Sequence, residues 1–248
     1  MTSVWYYPQL IAHRGAGHSA PENTLAAFKL GYSKEFNMFE CDVKLSCDGT
    51  AFLLHDDTLD RTTDALGYAD LQSWQNLQSL DAGAWHSSKY IGERLPTLTQ
   101  IAKFVHDHQA MLNIEIKPSP NTAQKTGTVV ANLAASLWQN NSSNSVRVLP
   151  LLSSFSEIAL NAAQIAQPHL PRALLVNRVP NNWKLLLKRL KCIAIVCEVS
   201  TLTKVQVQAL KAAGYYVLIY TCNDSQRAIE CLKWGVNSII TDNLDLLK

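Results

Sequence analysis

None of the six cysteines, Cys41, Cys47, Cys192, Cys197, Cys222 and Cys231, belongs to a Cys-x-x-Cys pair, and they form no dense framework. In a chain of 248 residues, long enough to bury a sizeable core without cross-links, they read as reduced and mostly buried thiols. Net charge is scarce as well. A formal balance of +2 is too small to make nucleic acid or an anionic membrane surface the main partner, so any basic site must be local. No apolar run approaches the roughly 20 residues of a transmembrane helix. The opening MTSVWYYPQLIAHRG lacks the basic start, apolar run and small-residue cleavage site of a secretory signal, so a cytoplasmic protein without stable membrane association is expected. In that compartment the acceptor pattern at Asn140 and Asn141, within QNNSSNS, means only a polar loop. No repeat and no low-complexity linker divides the chain, which predicts one domain over residues 1–248.

What is present is an alternation that persists to the end. Short β-rich apolar runs occur at 9–13, 38–43, 111–116, 146–152, 172–176, 192–197, 215–220 and 237–241. Between them lie stretches with apolar residues at helical spacing, such as LTQIAKFVHDHQ and AQKTGTVVANLAASLWQ, and Gly214 and Gly235 are placed as helix stops. Eight strands with intervening helices predict an α/β fold closed into a parallel barrel. Residues 44–96 break the rhythm. Their SCDGT turn and AFLLH run predict a hairpin beyond the barrel rim, followed by a small insertion over about 57–96.

Side chains two apart on a barrel strand share a face, so Glu40 and Asp42 point inward while Cys41 faces the helices. Glu115 and Lys117 share a face in the same way, and Pro118 ends their strand. His13 and Arg14 close the first strand before a turn containing Gly15 and Gly17. Three strand ends and one hairpin therefore deliver His13, Arg14, Glu40, Asp42, His55, Glu115 and Lys117 to one rim, the active face of such barrels. Three crowded carboxylates repel one another unless a cation lies between them, and an oxygen-rich site suits Mg²⁺ or Ca²⁺. Flanking cations suit a phosphate, and two imidazoles can exchange protons with a nucleophile and a leaving alcohol.

The stretches HRGAGHSAPENT, FECDVKLSCDGTAFLLHDDTLDRTT, NIEIKP, YTCND and IITDN resemble the glycerophosphodiester phosphodiesterase family, in order and spacing over nearly the whole chain. The resemblance implies a TIM (β/α)8 barrel that hydrolyses small-molecule glycerophosphodiesters to sn-glycerol 3-phosphate and an alcohol. It implies metal ligation by Glu40, Asp42 and Glu115, acid/base roles for His13 and His55, and phosphate contacts from Arg14 and Lys117. Family members often carry a proline shortly after the last Thr-Asp, where this chain has Asn243.

Weaker expectations attach to other residues. Glu198, Tyr220 and Asn223 fall at the predicted rim and could line the pocket or cap the next helix. Glu22 and Asn23 could be first-turn helix residues, and Trp74, Trp85 and Tyr90 suit the insertion's own core better than a lid. His106 and His108 are expected to be solvated at a helix end, whereas His18 lies near the rim. Two alternatives stay open: a phospholipase acting on intact lipid, for which NNWKLLLKRLK is the nearest thing to a docking helix, and a barrel that binds phosphodiesters without turnover. Attack by water and attack by the glycerol 2-hydroxyl, which would give a cyclic phosphate, are equally compatible with the sequence.

Overall fold

The computed structural model describes residues 4–139 and 148–247. The strands, in chain order, are β1 (Leu10–Ala12), β2 (Met38–Leu45), β3 (Ala51–Leu53), β4 (Met111–Ile116), β5 (Leu151–Ser154), β6 (Arg172–Val176), β7 (Ala194–Glu198), β8 (Tyr216–Tyr220) and β9 (Ser238–Thr241). Among the described residues, every strand except β3 joins one parallel barrel in the order β1, β2, β4, β5, β6, β7, β8, β9, closed by pairing of β9 with β1. Helices α1 (Leu25–Ser33), α3 (Leu98–Asp107), α4 (Ala123–Gln139), α5 (Glu157–Ala166), α6 (Trp183–Arg189), α7 (Lys204–Ala212) and α8 (Ser225–Trp234) alternate with the strands. A four-residue helix, α2 (Trp74–Leu77), lies in the insertion. The TIM barrel expected from the alternation is the fold observed.

Strand parity sorts the side chains into two shells. Phe39, Cys41 and Val43 of β2, with Leu112, Ile114 and Ile116 of β4, pack outward against Phe28 of α1 and against Ile101 and Phe104 of α3. Phe28 meets Phe39 at 5.1 Å and Phe104 at 6.0 Å between ring centroids, contacts worth about 0.5–1.5 kcal/mol each beyond area burial. The inward shell, Ile11, Met38, Leu151, Ala173, Leu175, Val196, Leu218 and Ile240, fills the barrel. One step further along several of the same strands the inward positions turn polar: His13, Glu40, Asp42, Asn113, Glu115, Ser153 and Glu198. A barrel plugged by hydrocarbon beneath and lined by ionisable groups above presents its chemistry at the carboxyl ends of its strands.

Local signals set the element ends. Thr97 and Thr203 form capping boxes with Gln100 and Gln206, Asp224 caps α8, and Gly235 ends that helix in the left-handed region. Gly31 lets α1 touch the loop after β1, because a Cβ there would lie 2.1 Å from the Gly15 carbonyl oxygen. The predicted hairpin exists: β3 runs antiparallel to β2, and the turn uses Gly49 at φ +87. The apolar run predicted at 146–152 forms a strand only from Leu151 and continues through Ser153 and Ser154, whose hydroxyls hid it; residues 146 and 147 lie outside the described residues, as do Asn140 and Asn141. Ser154 is held there by donating to the Ile116 carbonyl at 2.6 Å.

The insertion between β3 and α3 has its own small core of Phe52, Leu54, Leu59, Ala69, Leu77, Ala82 and Leu95, with Trp74 packed on it. Polar contacts attach it to the loop after β1 and to the first turn of α1: Arg61 to Glu22, His86 to the His18 carbonyl, and Glu93 to the Ala26 N–H. His106 and His108 correct an expectation. Both are half-buried, His108 stacking on Phe104 and His106 standing edge-on to Trp138, because the helix end packs against aromatic neighbours instead of facing water. Among the described residues no helix is long and apolar enough to cross a membrane.

Candidate active site

Adjacent strands bring the three acids together. β2 and β4 pair with Asp42 opposite Glu115 and Glu40 opposite Asn113, so the inward carboxylates converge within one turn of the barrel. One oxygen from each of Glu40, Asp42 and Glu115 lies within 4.8 Å of the others. All three are buried, and Glu40 Oε1 has no hydrogen-bond partner among the described residues.

The electrostatics of this cluster are unequal. Burial pushes Glu40 well above its usual value, and the charges of Asp42 and Glu115 push it further. Glu115 is pushed up to about 7, first by burial and then by Asp42, against the pull of Lys117. Asp42 goes the other way. Burial opposes its ionisation, yet Lys117, Arg14, His55 and the Asn23 hydrogen bond hold it well below the usual carboxylate range. Lys117 Nζ sits 3.2 Å from Asp42 Oδ1 and 3.3 Å from Glu115 Oε1, and Arg14 Nε sits 3.3 Å from Asp42 Oδ2. A buried acidic trio in which burial and mutual repulsion push two members upward, with one oxygen left unsatisfied, is deficient in positive charge. Hard oxygen donors at this spacing fit a divalent cation.

Both histidines lean on a carboxylate that sequence reasoning left without a role. His13 Nδ1 is 2.7 Å from Asp242 Oδ1, and His55 Nδ1 is 2.7 Å from Asp56 Oδ1. An ionised carboxylate only accepts, so Nδ1 carries the proton in each ring and Nε2 is left for other work. His13 Nε2 lies 3.8 Å from Glu40 Oε2. Asp242 is held down at about 2 despite its burial, chiefly by the His13 hydrogen bond. His55 is lowered by burial, against the attraction of Asp42.

Glu22 and Asn23 prove not to be first-turn residues, since α1 starts at Leu25 with Thr24 as its cap. Asn23 donates to Asp42 Oδ2 at 2.8 Å and accepts the Asp42 N–H at 3.1 Å, fixing that carboxylate. It does so from φ +59, and Arg14 stands at φ +51 with its N–H donating to Glu40 Oε2. Two left-handed residues without glycine's freedom, both on the acids, mark stored strain.

The pocket candidates divide. Glu198 and Tyr220 are register partners on β7 and β8; the Tyr220 hydroxyl donates to Asn177 Oδ1 at 2.8 Å, and its pKa is raised by burial, then by Glu198 and Glu115. Phe155, which the sequence did not flag, stands edge-on to Tyr220 at 5.8 Å and is exposed. Asn223 instead braces the last loop, donating to Asp242 Oδ2 and accepting from Thr241 Oγ1 and the Asp242 N–H. His18 is mostly exposed, 3.4 Å from Asp242. Asn243, where relatives often have proline, accepts the Asp245 N–H and donates to the Asn223 carbonyl, so the loop is still tied.

A cation-hungry carboxylate cluster bracketed by fixed positive side chains and two oriented imidazoles suits reactions at phosphorus–oxygen bonds, which places the molecule among barrel enzymes acting on phosphate esters. Comparison with known proteins narrows this. Residues 13–246 match the family model described as the glycerophosphoryl diester phosphodiesterase family. A glycerophosphodiester phosphodiesterase of Caldanaerobacter subterraneus subsp. tengcongensis is 30% identical over 243 residues, covering 96% of this chain and 95% of that protein. An Oleispira antarctica phosphodiesterase, solved in complex with the product sn-glycerol-3-phosphate, is 33% identical with a TM-score of 0.88, covering 96% of this chain and 94% of that one. A glycerophosphodiester phosphodiesterase from Agrobacterium tumefaciens is 25% identical with a TM-score of 0.77, covering 96% and 98%. The chain belongs to the glycerophosphoryl diester phosphodiesterase family and is an enzyme of that kind.

Proposed function

We propose that this protein hydrolyses small soluble glycerophosphodiesters, the deacylated forms of phospholipids, to sn-glycerol 3-phosphate and an alcohol. One barrel domain with its insertion over about 57–96 does the work, in the cytoplasm. The observation that carries this reading is the buried trio Glu40, Asp42 and Glu115, with ligand atoms within 4.8 Å of one another and Lys117 and Arg14 beside them. These three acids would hold Mg²⁺ or Ca²⁺, which supplies positive charge against a phosphoryl oxygen.

The chain's own groups do the rest. Lys117, fixed on Asp42 and Glu115, and Arg14, fixed on Asp42 and Glu22, present cationic N–H donors to the phosphate oxygens. His13 and His55, each with Nδ1 tied to an aspartate, offer Nε2 for proton transfer. One takes the proton of the attacking hydroxyl and the other gives a proton to the departing alkoxide. Burial lowers His55, which favours the neutral imidazole, the form that accepts a proton. Glu198 and Tyr220, at neighbouring strand ends, line the place where a glycerol or head-group hydroxyl would sit.

The test is direct. Glycerophosphocholine and glycerophosphoethanolamine are incubated with the protein, and sn-glycerol 3-phosphate is followed by a coupled dehydrogenase. Release from at least one is expected; no release from either, with Mg²⁺ or Ca²⁺ supplied, refutes the proposal.

A further inference from the structure

Arg61 lies in the insertion, six residues after His55 but 39 from Glu22. Its guanidinium nevertheless uses four N–H donors on two carboxylates. Nε and Nη2 donate to Asp56 Oδ2 and Oδ1 at 2.7 and 3.0 Å, and Nη1 and Nη2 donate to Glu22 Oε2 and Oε1 at 2.8 Å each. The oxygens reached by Nη2 are already engaged on their other sides. Asp56 Oδ1 takes the His55 Nδ1 proton at 2.7 Å, and Glu22 Oε1 takes an Arg14 Nη1 proton at 2.8 Å. One nitrogen thus joins His55 to Arg14 through two shared acceptor oxygens.

We propose that Arg61 is a positioning residue for the reaction, setting the His55 ring and the Arg14 guanidinium in register with each other from the insertion. The inference rests on the roles given above to His55 and Arg14. Two features beyond contact support it. The fork is planar and doubly bidentate, a geometry that a single ammonium cannot reproduce, so the site demands arginine and not merely positive charge. Arg61 itself is 44% exposed, but its partners are more shielded, Glu22 at 11% and Asp56 at 28% side-chain exposure, so the carboxylate side of each pair is less screened than in a surface ion pair. Without Arg61, Glu22 and Asp56 would be two anions free to swing. Asp56 would hold the His55 ring less firmly, and Glu22, no longer fixed from its other side, would aim Arg14 less tightly. Misplacement of such groups by about 1 Å is enough to cost on the order of 10²-fold in rate.

The experiment compares wild type with Arg61→Lys and Arg61→Ala, after thermal melts confirm that each is folded; the lysine variant retains the charge if the alanine variant does not fold. kcat for a glycerophosphodiester is expected to fall about 10²-fold in both, with divalent-ion affinity within about threefold of wild type. Added guanidinium should restore part of the rate to the alanine variant only. A second readout does not depend on turnover: nitrogen-15 spectra of the His55 ring should show one Nδ1–H tautomer in wild type and tautomeric averaging in the variants. Wild-type kcat in both variants, or a lowered kcat with an unchanged His55 signal, overturns the inference. Absence of turnover in wild type itself would refute the proposed function instead, and the His55 spectra would still decide the role of Arg61.

Discussion

Glu115 makes the stability of the chelator-treated protein depend on pH in a definite direction. Its carboxyl is pushed from 4.5 to about 7, largely by burial. A raised acid binds its proton more tightly in the folded chain than in the unfolded one. The associated stability is therefore present in full below about 4.5 and is lost as pH rises through about 7. Integrated over that interval, the loss is on the order of 3 kcal/mol, which for a chain of this length corresponds to roughly 6–12 °C in melting midpoint. His55, lowered by burial, contributes in the opposite sense over part of the same window, so the comparison is made with Glu115→Gln, which keeps His55 and removes the acid. The assay is a set of thermal melts in EDTA between pH 5 and 8. Wild type should lose midpoint relative to Glu115→Gln as pH rises, and Mg²⁺ or Ca²⁺ should restore wild type more at pH 8 than at pH 5. Parallel curves for the two proteins, or an equal effect of the ion at both pH values, would refute this account of the buried acid.

His13→Ala and His55→Ala should each lower kcat by about 10²–10⁴-fold while divalent-ion affinity stays near wild type, measured by steady-state kinetics beside calorimetry; near-normal turnover in either would remove that residue from proton transfer. Asp242→Asn should cost rate by letting the His13 ring take the other tautomer, and it should also erase acid stability that wild type loses between about pH 4 and pH 2, since the folded carboxyl sits at about 2 against 3.8 in the unfolded chain. Melts at pH 3 and pH 7 check the sign. Gly31→Ala would set a methyl group 2.1 Å from the Gly15 carbonyl oxygen and should destabilise by about 1–3 kcal/mol, read from urea unfolding.

The barrel was legible because parallel strands and helices carry different periods, and α4 and β6 fall on the residues that those periods mark. Parity on β2 and β4 was enough to send Glu40, Asp42 and Glu115 to one face, since a period of two is set by the strand itself. What escaped depends on closure of the chain. Asp242 meets His13 only because β9 returns to β1, and Arg61 meets Glu22 only because the insertion folds back over the mouth. Neither pairing leaves a spacing to read. Asn23 was hidden for another reason: its left-handed backbone makes the side chain a brace for Asp42 in place of the first-turn helix residue that the sequence suggests. Ser153 and Ser154 masked the end of β5 because hydroxyls inside a barrel look like loop residues.

The claim on which all else depends is that Glu40, Asp42 and Glu115 together bind one divalent cation. Calorimetric titration of chelator-treated protein with Mg²⁺ and with Ca²⁺, beside the folded triple variant Glu40→Gln, Asp42→Asn, Glu115→Gln, tests it directly. The expected result is one ion per chain in wild type for at least one of the two metals and none in the variant; equal binding in both proteins, or no binding in wild type, would contradict it.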